Sequence, residues 1–285
     1  MPVLTIPSGQ PFSLDQTLDC GQVFRWNRAA DGTWTGVIGN SVIRIRQDGR
    51  KLTFDGVSGK FIREYFSLDM DLGPVIASFD RDSFIHKAIA SCKGLRLIRQ
   101  PKWECLVSYI CSTNSNIPAI RKRIAHLAEQ FGKAIDTDEG IYYSFPDPPA
   151  ISCKGSSALD GCKLGYRSPY VFKTACRIDD LEAWEAMVSA MPYEEARREL
   201  MQCAGVGPKA ADCILLFAFQ KYEAFPVDVW VRRIMQQQYL PELRTGSPLT
   251  SREYDVIRRF AKGHFGEYCG YAQEYLYGAR EGKKV

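Results

Sequence analysis

The chain has 285 residues, of which 45% are hydrophobic and 25% are charged, and its formal net charge is +4. This length accommodates one large domain or two to three smaller ones with buried cores, and the composition is that of a globular protein. We expect neither a membrane protein nor a secreted one, because no apolar run approaches the roughly 20 residues of a membrane helix and the first residues lack the features of a secretion signal. The modest positive charge permits nucleic-acid binding without requiring it.

The first 60 residues predict an antiparallel sheet. Residues 41–46 largely alternate apolar and polar side chains, and residues 51–54 resume the pattern after an Asp-Gly pair at 48–49. Two such runs joined by an Asp-Gly turn are typical of a β-hairpin. A second Asp-Gly pair at 31–32 precedes another β-prone run at 33–38 and indicates a second hairpin.

Beyond the sheet, the apolar residues recur at helical spacing. Asp80 and Asp82 are candidate N-caps for the helix that follows them. Residues 103–110 predict a strongly apolar, buried helix, and residues 120–128 predict an amphipathic one. Residues 144–165 are rich in proline and glycine, so we expect them to loop over the surface before helices return.

These elements predict an α+β fold, in which an N-terminal antiparallel β-sheet domain precedes a mainly helical body. We assign the sheet domain, with a linking helix, to residues 1–97. The helical body is divided into two subdomains, at residues 98–190 and 191–285. Ten cysteines are scattered through the chain without a CxxC pair, which indicates reduced, mostly buried thiols in a cytosolic protein and no metal site.

A short segment between two apolar helices carries the sharpest local signal. Gly205, Val206 and Gly207 follow one helix, and Pro208 begins the next. The glycines allow a tight turn with positive φ values, and proline suits the first turn of a helix. Exposed N–H groups at such a turn can hold a phosphate. The pattern predicts a helix-hairpin-helix that binds the DNA backbone, although a bare Gly-x-Gly is by itself a weak signal.

Two charged residues near this hairpin allow both a structural and a chemical interpretation. Lys209 could be a solvated contact to phosphate, or a nucleophile whose ammonium form is disfavoured at the positive end of a helix. Asp228 follows Pro226 and Val227 and could cap a helix. It could also face a cleft and stabilise positive charge on a sugar ring, and the two roles are compatible.

With these residues placed, the chain resembles the 8-oxoguanine DNA glycosylase/AP lyase family of the helix-hairpin-helix glycosylase superfamily, where AP denotes an apurinic or apyrimidinic site. The hairpin followed by Pro226, Val227 and Asp228 matches the superfamily signature, with Lys209 at the catalytic position. Other segments similar to the family occur in family order at residues 21–26, 95–106, 111–117, 164–167 and 271–277.

The resemblance implies a base-excision-repair enzyme that flips 8-oxoguanine out of double-stranded DNA into a cleft between the helical subdomains. The Gly21 carbonyl would accept a hydrogen bond from the N–H that oxidation adds to guanine, and Gln273 would bind the Watson–Crick edge. Cys213 and Tyr277 would enclose the base.

The resemblance also implies the chemical steps. Lys209 would attack the sugar, with Asp228 in support, and β-elimination would then nick the strand. No external cofactor is required, and a structural cation at the hairpin stays open.

The resemblance also implies which residues touch the DNA around the lesion. Asn114 would fill the space left by the base and Tyr166 would wedge beside the orphaned partner, which Arg167 would contact. Eukaryotic members have a second arginine where this chain has Ala119, so we expect a weaker preference for cytosine opposite the lesion. Trp230 replaces a histidine. Both departures indicate a prokaryotic, cytoplasmic and nucleoid-associated protein, which we expect to be monomeric.

Two other functions stay possible at this stage. A non-catalytic DNA-binding module would use the hairpin alone and would need neither Lys209 nor Asp228. A monofunctional glycosylase for alkylated or mismatched bases would activate water and leave the strand intact, so strand nicking separates it from the lyase. Activity on other oxidised purines is also left open.

Overall fold

The computed structural model describes residues 1–243 and 248–280. Its N-terminal part is a five-stranded antiparallel sheet in the order β1-β5-β4-β3-β2. The strands are β1 (Val3–Thr5), β2 (Trp26–Arg28), β3 (Trp34–Ile38), β4 (Ser41–Asp48) and β5 (Lys51–Asp55), and the short helix α1 (Leu14–Leu18) lies between β1 and β2. Both predicted hairpins, β2-β3 and β4-β5, are confirmed.

The alternation in β4 explains why the sheet is buried on one face. Ile43 and Ile45 are fully buried, whereas the intervening Arg44 is half-buried. Across the sheet, Trp26 is paired with Gly36 of β3. The glycine has a structural cause, since a Cβ atom there would lie 2.4 Å from Cδ2 of the Trp26 ring.

The rest of the chain is mainly helical, which confirms the α+β prediction. The helices are α2 (Gly59–Tyr65), α3 (Leu72–Phe79), α4 (Ser83–Ser91), α5 (Lys102–Ser112), α6 (Ile117–Phe131), α7 (Pro148–Ser152), α8 (Ser168–Arg177), α9 (Leu181–Ala190), α10 (Tyr193–Leu200), α11 (Pro208–Ala218), α12 (Val229–Gln238), α13 (Ser251–Phe265) and α14 (Cys269–Gly278). In the described part of the chain, 3₁₀ turns occupy Ser156–Cys162, Gly165–Arg167 and Gly266–Tyr268.

One of the two predicted caps is correct. Asp82 precedes α4, and its Oδ1 accepts hydrogen bonds from the backbone N–H groups of Phe84 (2.8 Å) and Ile85 (3.0 Å). The prediction for Asp80 is wrong, because this residue follows the last turn of α3. Its carboxylate instead lies 2.9 Å from Nδ1 of His86.

The prediction of a surface loop at residues 144–165 is also wrong. Asp147 caps α7, so the two prolines behind it begin a helix rather than break one. Ile151 and Leu159 are fully buried in the helical core. The sequence interpretation also missed a small hairpin just before this segment, formed by β6 (Ala134–Thr137) and β7 (Gly140–Tyr143).

The buried side chains of the described residues form two hydrophobic clusters. One joins the sheet to α1 and α2, and the other runs through the helices from α3 to α14. Helix α14 packs against α3, α4, α12 and α13, while α11 packs against α5 and α10. The proposed boundaries near residues 97 and 190 stay a prediction.

The cysteines follow the pattern expected of reduced thiols. All ten lie within the described residues and none of them forms a disulfide; eight are buried, while Cys153 and Cys176 are exposed. Within the described residues, no helix has both the length and the apolar character needed to cross a membrane.

We predict that Gly36→Ala destabilises the sheet by about 1–3 kcal/mol, because the added methyl group overlaps the buried Trp26 ring. Urea denaturation measures the free energy of unfolding. Gly263→Ala is the control, since this exposed glycine in α13 has nothing within 4 Å of a Cβ atom and the change should stabilise by about 0.5–1 kcal/mol. Equal midpoints for Gly36→Ala and the native chain would contradict the steric argument.

Candidate active site

The predicted hairpin joins α10 to α11. Gly205 has φ +81°, and a Cβ atom there would lie 2.7 Å from Cδ2 of Tyr170. Both the backbone conformation and the close approach of Tyr170 therefore require glycine at this position. Gly207 differs from the expectation, because its φ of −91° is open to any residue. A Cβ atom on Gly207 would meet nothing within 4 Å. The start of α11 therefore faces open space, as a phosphate-binding helix end must.

Lys209 is the second residue of α11 and is half-buried. Its Nζ atom lies 5.0 Å from the ring centroid of Tyr109 on α5. Cys213 is one turn further along α11 and is 4% exposed. Burial raises the pKa of the Cys213 thiol to about 12, although the neighbouring Lys209, which also hydrogen-bonds with it, opposes the rise. The thiol is therefore neutral at physiological pH.

Asp228 precedes α12 and caps it, as expected. Its Oδ1 accepts a hydrogen bond of 2.8 Å from the N–H of Val231. The side chain is half-buried, and within the described residues its Oδ2 makes no hydrogen bond. The cap thus fixes the carboxylate while one oxygen stays available, so the structural and chemical roles are compatible.

The sequence interpretation missed a fully buried carboxylate near Lys209 and Asp228. Asp212 lies on α11, three residues after Lys209, and is 0% exposed. Its oxygens accept hydrogen bonds from two tyrosines and face two arginines, with distances of 2.7 Å to Tyr193, 2.6 Å to Tyr254, 2.9 Å to Arg197 and 3.7 Å to Arg258. The signal was present in the sequence, because α10 and α13 each carry a tyrosine four residues before an arginine, the spacing of one helix face.

This network links the two candidate catalytic residues. The hydroxyl of Tyr254 donates to Oδ2 of Asp212 at 2.6 Å and accepts from the N–H of Val227 at 3.3 Å. Val227 immediately precedes Asp228. One tyrosine thus joins the helix of Lys209 to the backbone that carries Asp228.

The residues expected to bind the base come from both ends of the chain. Gly21 has φ +101°, and a Cβ atom on it would lie 3.7 Å from Cε1 of Tyr277. Gln273 is 4% exposed, and its Oε1 has no hydrogen-bond partner among the described residues. Gly21 therefore lies close to Tyr277 of α14. The unpaired amide oxygen of Gln273 is buried on that same helix, α14.

Glu274 is a further buried residue of this helix that the sequence interpretation did not single out. It is 4% exposed. Burial, with a smaller contribution from Asp228, raises the pKa of its carboxyl to about 7, and a hydrogen bond with Cys20 is the largest effect that opposes the rise. Its position directly after Gln273 was the only signal in the sequence.

The residues expected to insert into DNA lie together on two exposed loops. Asn114 has φ +49°, and its Nδ2 lies 3.5 Å from the hydroxyl of Tyr166, which is 50% exposed. Arg167 is instead buried, donating hydrogen bonds to the carbonyl oxygens of Thr113 and Asn114. Its guanidinium lies 4.3 Å from the Tyr166 ring centroid. An arginine held in this way must turn outward before it can reach a base.

Ala119 and Trp230, the two positions that differ from the eukaryotic members, lie near the starts of α6 and α12. Ala119 lies in the first turn of α6, where its N–H donates to Oδ1 of Asn116 at 3.0 Å. Trp230 is 41% exposed beside Asp228, with the guanidinium of Arg233 5.0 Å from its ring centroid. Within the described residues, no group of three or more His, Cys, Asp or Glu side chains is placed to hold a metal ion.

Comparisons with known proteins agree with this geometry. Residues 3–106 match the family model of the 8-oxoguanine DNA glycosylase N-terminal domain. An N-glycosylase/DNA lyase of Saccharomyces cerevisiae is 32% identical, over 93% of this chain and 82% of the yeast protein. A probable N-glycosylase/DNA lyase of Methanothermobacter thermautotrophicus is 31% identical, over 83% of this chain and 78% of its own.

A solved structure shares the whole architecture. The 8-oxoguanine glycosylase/lyase of Clostridium acetobutylicum, in complex with double-stranded DNA containing cytosine opposite 8-oxoguanine, superposes with a TM-score of 0.85 at 31% identity. The match covers 98% of this chain and 97% of that one. The chain therefore belongs to the 8-oxoguanine DNA glycosylase/lyase family.

We predict that Asp212→Asn costs about 3–5 kcal/mol of unfolding free energy, because it leaves two arginines beside a buried neutral amide. Chemical denaturation monitored by circular dichroism gives the value. Glu199→Gln is the control, since Glu199 pairs with the more exposed Arg177 and its loss should cost less than about 1 kcal/mol. Similar costs for the two variants would show that Asp212 does not organise the site.

Proposed function

We propose that the chain excises 8-oxoguanine from duplex DNA and then cleaves the strand at the resulting abasic site, with Lys209 as the nucleophile. The observation that carries this proposal is the position of Lys209. It is half-buried in the first turn of α11, directly after the hairpin, and Asp212 and Tyr254 link this helix to the backbone N–H of Val227, the residue before Asp228. A plain DNA clamp has no use for such a link.

Access to the base requires flipping, because the reacting carbon is unreachable inside a duplex. Unstacking costs a few kcal/mol, and side chains that fill the gap offset that cost. The exposed pair Asn114 and Tyr166 suits this task, since an amide replaces lost hydrogen bonds and an aromatic ring stacks. The hairpin residues Gly205, Val206 and Gly207 would hold the backbone nearby through their N–H groups.

Discrimination of the oxidised base would come from the carbonyl of Gly21. Oxidation places a proton on the imidazole ring, and a carbonyl oxygen accepts it. Normal guanine presents a lone pair at that atom, so two acceptors would face each other. Gln273 would bind the Watson–Crick edge, while Cys213 and Tyr277 enclose the ring; the neutral state of Cys213 suits an apolar contact.

The proposed chemistry uses the amine of Lys209 and the carboxylate of Asp228 on the same sugar. The amine of Lys209 forms a bond to C1′ as the bond from C1′ to the base nitrogen breaks, and the proton that the newly bonded lysine nitrogen loses passes to the departing base. The Asp228 carboxylate stabilises the positive charge that develops on the sugar. Ring opening gives a Schiff base, and loss of a C2′ proton then expels the 3′ phosphate. Lysine itself supplies the reacting group, so no external cofactor is required; a structural cation at the hairpin carbonyls stays a prediction.

The alternative functions have less support. A monofunctional glycosylase would not need Lys209 in this position, and a non-catalytic module would not need the buried groups of α14. We also propose that the protein acts as a monomer on nucleoid DNA in a prokaryotic cytoplasm, a setting indicated by the departures at Ala119 and Trp230.

We predict that borohydride reduction traps a covalent adduct between the native chain and a duplex that carries one 8-oxoguanine, because a Schiff base forms during the reaction. Lys209→Gln should give no adduct, while Lys60→Gln, an exposed lysine on α2, should match the native yield. Denaturing gel electrophoresis of labelled DNA measures the adduct and the nicked strand.

Two results would contradict this proposal. An adduct that persists in Lys209→Gln means that another amine attacks the sugar. DNA binding without an adduct from the native chain means a monofunctional glycosylase or a plain clamp.

We predict that Ala119→Arg increases the preference for cytosine opposite the lesion by about 5- to 100-fold, because one charged base contact gives about 1–3 kcal/mol of discrimination. Single-turnover cleavage of duplexes with each of the four opposite bases measures the preference. Ala77→Arg, on the exposed face of α3, is the control for added charge. An equal preference in Ala119→Arg and the native chain would refute the role predicted for position 119.

A further inference from the structure

Helix α14 carries two neighbouring buried side chains that each have an unpaired oxygen. Gln273 and Glu274 are both 4% exposed. Neither Oε1 of Gln273 nor Oε2 of Glu274 has a hydrogen-bond partner within residues 1–243 and 248–280. An unpaired buried polar group costs about 1–3 kcal/mol, so native proteins keep few of them. The pair therefore indicates a site that a polar ligand completes.

Glu274 lies among the residues proposed for catalysis and base binding. Its carboxyl group hydrogen-bonds with Cys20, the residue directly before Gly21. The titratable and charged groups that face it from the surrounding elements are Cys20 before the sheet, Tyr109 on α5, Lys209 and Cys213 on α11, Asp228 before α12, and Tyr277 and Arg280 at the end of its own helix. Glu274 thus belongs to the candidate site rather than to the remote core.

The charge balance of this site favours the protonated form of Glu274 when DNA is bound. Burial already raises the pKa of its carboxyl to about 7. The phosphates of bound DNA add negative charge, and a closed site excludes water, so both effects disfavour a second carboxylate beside Asp228. A protonated carboxyl differs from a carboxylate in that it donates a hydrogen bond.

We propose that Glu274 acts in base recognition as a neutral carboxylic acid, donating its O–H to an acceptor atom of the flipped nucleoside. Purines present carbonyl oxygens and ring nitrogens that can accept this bond. Gln273 has an unpaired acceptor at the preceding position, so the two side chains offer complementary groups. The inference rests on the proposed function, because it adds a specificity residue to the same pocket.

The affinity for the lesion should therefore depend on pH. A ligand that binds the acid form raises the pKa of Glu274 in the complex, so binding is strongest below the free-protein pKa of about 7 and weakens as the pH rises above it. The probe is a duplex with one 2′-fluoro-8-oxodeoxyguanosine, whose glycosidic bond resists cleavage. We expect the Kd of the native chain to increase about tenfold from pH 6 to pH 8.

Two variants isolate this effect. Glu274→Gln keeps a neutral donor of the same shape, so its Kd should stay constant over this pH range. Glu267→Gln makes the same change at an exposed residue shortly before α14 and should keep the native pH dependence. A pH dependence in Glu274→Gln equal to that of the native chain overturns the inference.

A second measurement does not depend on any variant. Calorimetry at pH 8 in two buffers of different ionisation enthalpy counts the protons taken up, and the native chain should take up about one more with the lesion duplex than with undamaged DNA. A lesion preference without this extra proton overturns the role of Glu274 alone. Equal affinity for lesion and undamaged duplexes at every pH overturns the proposed function, and the inference with it.

Discussion

The geometry of the candidate site depends on one buried carboxylate. Asp212 has no exposed surface, and leaving such a charge without partners would cost several kcal/mol. Helices α10 and α13 must therefore approach α11 closely enough for two tyrosines and two arginines to reach it. Because Lys209 lies about one turn earlier on α11, and Tyr254 also binds the backbone before Asp228, this approach sets the relative positions of the amine and the carboxylate.

The two sides of the site are built differently, and the difference suits a two-stage recognition of DNA. Asn114 and Tyr166 stand on exposed loops, where they can meet any duplex. Cys213, Gln273 and Glu274 are almost fully buried, so only a base that has left the stack can reach them. Under the proposed function, affinity for the duplex would reside in the exposed residues and selectivity for the base in the buried ones.

Local features were the part of the fold that the sequence made predictable. The β-hairpins and the turn at Gly205 depend on a few adjacent residues, so their patterns are visible without tertiary information. The buried path of residues 144–165 depends on packing against α6 and α8, which no local pattern reports. Glu274 was missed for the same reason, because its burial comes from distant helices. For Asp212, the matching tyrosine and arginine spacing on α10 and α13 was visible, but the sequence does not show that both helices face α11. The roles of the site residues themselves came from family resemblance.

The burial of the thiols affects how well the protein resists oxidation of its own cysteines. Oxidants attack thiolates that solvent can reach, and the conditions that oxidise guanine supply such oxidants. Burial raises the pKa of Cys111 and Cys213 to about 12 and that of Cys203 to about 11, which keeps these sulfurs protonated and shielded. Damage at the exposed Cys153 and Cys176 falls outside the candidate site. The fold therefore protects the machinery from the same agents that create its substrate.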